Sequence, residues 1–200
     1  TEVTTGGSNK TTTLTGGAIV TACMAICNDG TYLYLSASNA TNSVVLRLAI
    51  SNMTGAYTIL AGDISTVGVV ATYNMRGIDV IPGTSSTKFL FHNVVGTTGY
   101  YIHTSSPWGT PVSTAGAFNR PSLLGTPTSA GGLAFRNSRE LYIRGATAGT
   151  VVAIVDWPMS QYMGVANQPY IIKTLNNLTV SAAESSGATF NANGDFVGVK

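Results

Sequence analysis

The chain has two histidines, His92 in FLFHNV and His103 in YYIHTS. A turn centred on Thr97 and Thr98 would make them direct partners across a hairpin. Adjacent imidazoles can share a metal ion or titrate together near neutral pH. No third ligand stands close in the sequence, so the pair alone predicts no metal site. The carboxylates are Glu2, Asp29, Asp63, Asp79, Glu140, Asp156, Glu184 and Asp195. A hydrolase of sugars or lactones would need two of them facing one pocket. Most fall in turn-like stretches, where Asp serves local backbone chemistry. Asp79, inside GIDVI, is the one placed to face inward. No Ser/His/Asp order, phosphate loop or EF-hand loop is present. The sequence therefore predicts no catalytic residue, no cofactor and a non-enzymatic role.

Binding chemistry has more to work with. Trp108 in SSPWGTP and Trp157 in VDWPMS each sit beside a proline in a polar turn. Such rings can stack on a sugar, or they can pack over a strand edge as ordinary turn hydrophobes. Asn28, Asp29, Arg136 and Asn137 lie in two further polar turns. With the two tryptophans they form the candidate binding set. Cys23 and Cys27 are four apart. In a strand that puts them about 13 Å from each other. A disulfide needs Cα atoms within about 7 Å. They are expected to be free, buried thiols.

Composition narrows the setting. Only 9% of residues are charged, against a usual level of about 25%. Net charge is +2 and no Lys/Arg cluster occurs, which argues against an electrostatic nucleic-acid binder. No run of 18 apolar residues predicts a membrane span. No signal peptide is evident. The chain does not begin with Met and ends within an expected strand, which suggests a processed chain or part of a longer one. The Asn-x-Ser/Thr triplets at Asn9, Asn39, Asn52 and Asn177 are no more than this Ser/Thr-rich composition yields by chance. Few charges and many Ser, Thr, Gly and Asn suit an extracellular surface, or one covered by neighbours in an assembly.

The elements that must hold these residues are strands. Helical periodicity is almost absent, and turn residues punctuate short alternating runs every eight to twelve positions. The expected strands run from ACMAIC, YLYLSAS, VVLRLAIS and YTILAG, through GIDVI, KFLFHNV, YYIHTS and TPVSTA. GLAF, ELYIRGA, VVAIVDW, QYMGVA, GATFNA and DFVGVK follow. One hairpin recurs four times, as ICNDGTYLYLS, IPGTSSTKFLFHN, FRNSRELYIRG and FNANGDFVGVK, aligned on Tyr32, Phe89, Leu141 and Phe196. A four-stranded unit repeating roughly every 55 residues is a blade pattern. The expected fold is all-β, a single β-propeller-like domain over 1–200 built from four-stranded antiparallel blades. Its units are 18–66, 67–118, 119–174, and 175–200 completed by 1–17. Closure of a four-blade ring by the N-terminal strands is one option and an arc of a larger ring the other. A β-sandwich is the alternative fold.

The hairpin NDGTYLYL, echoed by NSRELYI and NANGDFVGV, resembles the degenerate blades of YVTN-type surface-layer and lactonase-type propellers. PGTSSTKFLF departs from it by a longer turn. The resemblance implies a fold and leaves chemistry open. In texture the chain is similar to bacteriophage virion proteins. That likeness implies a structural or adhesive component (tail, fibre or decoration) of a virion or other extracellular assembly. Its partners would be other subunits, including copies of itself, and a host surface glycan touched by loops. The alternatives are a lectin-like propeller using Trp108 and Trp157, and a propeller-fold hydrolase using Asp79 and the histidines.

Overall fold

The computed structural model describes residues 13–14, 22–38, 43–52, 58–59, 64–66, 75–84, 88–93, 99–104, 115–119, 121, 124, 132–144, 152–164, 167–175, 187–190, 193–194 and 196–199. Strands dominate them, and the sheets are almost entirely antiparallel. A two-residue parallel pair joins β1 (Thr13–Leu14) to β5 (Thr58–Ile59). The first four-stranded sheet runs in the order β2 (Ala22–Asn28), β3 (Tyr32–Ser38), β4 (Ser43–Ala49) and β6 (Ile64–Thr66). The second is β7 (Met75–Val80), β8 (Lys88–Asn93), β9 (Gly99–Thr104) and β10 (Ala115–Asn119). The third is β11 (Leu133–Phe135), β12 (Glu140–Arg144), β13 (Val152–Asp156) and β14 (Ile171–Leu175). A last hairpin pairs β15 (Gly187–Phe190) with β16 (Phe196–Val199).

Local chemistry explains the hairpins. Asn28 Oδ1 accepts the Gly30 N–H, and Asp29 Oδ1 accepts from Thr31 and Tyr32. Gly30 takes φ +88, which a side chain would strain. The strands that follow alternate, so Tyr34 and Ser36 are buried while Leu33 and Leu35 are partly exposed.

Burial builds the sheets into a stack. Cys27, Tyr34, Val45, Ile78 and Phe89 form one cluster between the first and second sheets, with Tyr34 edge-on to Phe89 at 4.8 Å. A larger cluster between the second and third includes Leu90, Phe118, Leu133, Phe135, Leu141 and Val155. β13 shows the logic most clearly. Ala153 and Val155 face that cluster, whereas Val152 and Ile154 belong to another with Tyr142. Both faces of the third sheet therefore carry buried apolar side chains. The first strands of the units meet one another: β2 contacts β7, β7 contacts β11, β11 contacts β15, and β15 contacts both β2 and β7.

Three expectations about the fourth strands change. QYMGVA is no strand: α1 (Trp157–Met163) follows β13, and the fourth strand of that sheet begins at Ile171. Asp156 caps the helix by accepting the Met159 N–H at 3.1 Å, and Pro158 occupies its first turn, where a missing N–H costs nothing. Gly164, at φ +75, ends it. In the second sheet the fourth strand is Ala115–Asn119; of TPVSTA only Ala115 is described, and the rest lies outside the described residues. The fourth strand of the first sheet is Ile64–Thr66, and the described residues of YTILAG, Thr58–Ile59, form β5. Residues 1–12, expected to help complete the last unit, lie outside the described residues, while Thr13–Leu14 pairs with the first unit.

Candidate functional site

The turn between β11 and β12 repeats the chemistry of the turn between β2 and β3. Asn137 Oδ1 accepts from Arg139 and Glu140, each at 2.8 Å, as Asp29 Oδ1 does from Thr31 and Tyr32. In both sheets the residue after the third strand then binds back to this turn. The Ile50 N–H donates to the Thr31 carbonyl, and the Trp157 N–H donates to that of Arg139. A helical turn starts there each time, the 3-10 turn Ile50–Asn52 in one sheet and α1 in the other. Tyr32 thus corresponds to Glu140, one residue from the sequence alignment on Leu141. The four turn residues Asn28, Asp29, Arg136 and Asn137 sit at these two corners. No hydrogen bond or ion pair among the described residues joins one corner to the other.

The corner beside α1 carries a hollow of about 530 Å³. Among the described residues it is lined by Ser138, Arg139, Asp156, Pro158, Met159 and Tyr162. Arg139 Nε donates to Asp156 Oδ2 at 2.8 Å, so one carboxylate both caps the helix and orients the guanidinium. Arg136 pairs with Glu140 at 3.2 Å on the outer side of the same turn. Trp157 anchors the helix beneath. It is 4% exposed, 5.1 Å from Phe135 and 6.2 Å from Phe118, edge-on to both rings. Ser160, also buried, accepts the Tyr170 N–H and ties α1 to the strand beyond. The opposite helix face is bare: Tyr162 is 88% exposed and Met159 44%.

This arrangement corrects the binding set. Trp157 cannot offer a stacking face, because its ring fills the cluster between two sheets. Trp108 lies outside the described residues. The exposed aromatic on α1 is Tyr162, which the strand reading of QYMGVA concealed. The signal was present in DWPMSQYMG, with a capping Asp, a proline in the first turn and a terminal Gly.

The other candidates fall elsewhere. The ladder pairs His92 with Tyr100 and His103 with Phe89. The histidines are therefore three rungs apart, roughly 10 Å along the strand, rather than opposite each other. A shift of register moves every partner and breaks up the expected pair. Among the described residues no group of three metal-ligating side chains occurs. Asp29 is held below the usual carboxylate range. Burial pushes its carboxyl up, but the Tyr34 hydroxyl and the Tyr32 and Thr31 amides outweigh that. Asp79 is committed to backbone: Oδ1 accepts from Val80 at 2.9 Å, and Oδ2 accepts from Phe135 of the neighbouring sheet at 2.7 Å. Burial, offset in part by those amides, pushes it up to about 6. The Cys27 thiol is raised well above its ordinary value by burial and then by the Asp79 charge, which suppresses the reactive thiolate. The Cys23 side chain lies outside the described residues.

No family model matches the sequence, and no curated protein is similar to it.

Proposed function

We propose that the chain is a non-enzymatic structural and adhesive module of a large extracellular assembly. A bacteriophage virion is the setting, as tail, fibre or decoration, with copies of the chain and other subunits as its contacts. The observation that carries this reading is apolar surface in a charge-poor chain. Tyr170, just before the outermost strand of the third sheet, and Ile172, within it, are 52% and 49% exposed. Charged residues make up only 9% of the sequence, so little charge keeps such surfaces apart. Apolar residues exposed together on an edge strand are where a partner docks.

The scaffold of this reading is a four-bladed propeller. In support, the four first strands meet in the sequence β2, β7, β11, β15, with β15 also meeting β2 and β7. A third sheet buried on both faces fits blades stacked around an axis better than a two-layer sandwich, whose sheets each keep one face toward water. The corners with Asn28, Asp29, Arg136 and Asn137 then share one end of the ring, and partner recognition belongs to that end.

The test is a surface variant. Tyr170→Ser combined with Ile172→Asp leaves the interior untouched. It is expected to reduce self-association in analytical ultracentrifugation while the melting temperature stays within a few degrees. Unchanged association would remove the outer strand from the contact.

A further inference from the structure

The geometry points to a saccharide-binding site in the hollow beside α1, with Tyr162 as its stacking face and Arg139 and Ser138 as its donors. This names the ligand class for the adhesive half of the reading above, and rests on it. Pro158, Met159 and Tyr162 stand three and four positions apart and so share one helix face, while Trp157 and Ser160 bury the other. The aromatic is thus exposed on an element rooted in the core. A sugar ring has an apolar C–H face that stacks on such a ring, and hydroxyls at its rim that need fixed partners.

Those partners are present. The Nε of Arg139 is bound to Asp156, which fixes the guanidinium plane and leaves its two terminal nitrogens to donate. That planar fork matches neighbouring hydroxyl oxygens. Asp156 already accepts from both Arg139 and Met159, so its charge balances the guanidinium. The lining therefore carries no net charge: Arg139 and Asp156 cancel, and Ser138, Pro158, Met159 and Tyr162 are neutral. An anionic ligand would gain little from Arg139 with Asp156 behind it, so the occupant is a neutral saccharide. Three polar and three apolar lining residues suit an amphipathic ring better than an apolar peptide. A volume near 530 Å³ falls within the roughly 300–1,000 Å³ of ligand pockets.

Titration of maltotriose, cellotriose, chitotriose and lactose into the isotope-labelled chain, followed by amide chemical shifts, tests the site, with a printed glycan array alongside. At least one neutral saccharide is expected to bind, with shifts centred on Ser138, Arg139 and α1. Tyr162→Ala should weaken it about tenfold, and Tyr162→Phe should retain it. Arg139→Gln should also weaken it, with melting temperature unchanged in all three variants. Binding untouched by Tyr162→Ala, preference for sialylated or sulfated glycans, or no saccharide bound at all would each overturn the proposal. Native mass measured on the same samples separates the two readings. Assembly without saccharide binding sinks only the site, and a monomer that binds saccharide sinks only the assembly.

Discussion

Asp79 holds two sheets together with one carboxyl group, taking the Phe135 amide of β11 while sitting in β7. Its buried position lifts its pKa from the ordinary 3.8 to about 6. The sign of the consequence follows from linkage. Below 3.8 folded and unfolded chains both hold the proton; between there and about 6 only the folded chain does. The contribution of this group is thus fully present at low pH and is lost as pH rises to about 6, by at most about 2–3 kcal/mol. Asp79→Asn would place an amide NH₂ against one of two backbone N–H donors, costing about 1–3 kcal/mol. Denaturant unfolding at a series of pH values should show the gap between wild type and Asp79→Asn narrowing from pH 4 to pH 7. Parallel curves would contradict the role given to this carboxyl. Asp29 illustrates the opposite case at the same scale: exposed and bound by its own turn, it is held ionised and shapes a hairpin rather than a site. Its alternation with glycine in NDG made that role readable from sequence.

At the scale of elements, the hairpins were legible because period-two alternation and turn residues agree there. YLYLSAS is β3 residue for residue, ACMAIC is β2 without its last residue, and ELYIRGA and VVAIVDW contain β12 and β13. The helix left no period to read in the sequence, only the cap and breaker residues at its two ends. Seven residues give two turns, too short for an amphipathic pattern to emerge over the surrounding alternation. What starts α1 is a cap, and its strength can be measured. The Arg139–Asp156 pair is screened, since Arg139 is 74% exposed, so it contributes less than about 1 kcal/mol. The cap at Met159 is worth about 0.5–2 kcal/mol. Asp156→Ala should therefore lower stability by about 1–2 kcal/mol in urea unfolding. Asp156→Asn, which still caps, should lose clearly less. Equal losses would mean that the ion pair outweighs the cap. The histidine pair failed for a different reason: strand identity was right, but register depends on the exact length of a turn, and composition does not encode it.

Across the whole molecule, sheets stack because most of their faces are apolar, as β13 shows with all five residues buried. Repetition of a hairpin supplied the building unit, and its echoes at Asp29 and Asn137 recur in the hydrogen bonds. What the units do together depends on surfaces. The chain carries few charges, two of its arginines are paired to carboxylates, and among the described residues Tyr162 on α1 and Tyr170 before the outer strand are exposed. The central claim is that these surfaces are contacts. Native mass spectrometry of the purified 200-residue chain tests it most directly. A discrete multiple of 20.6 kDa is expected. A single species at 20.6 kDa at every concentration would contradict it.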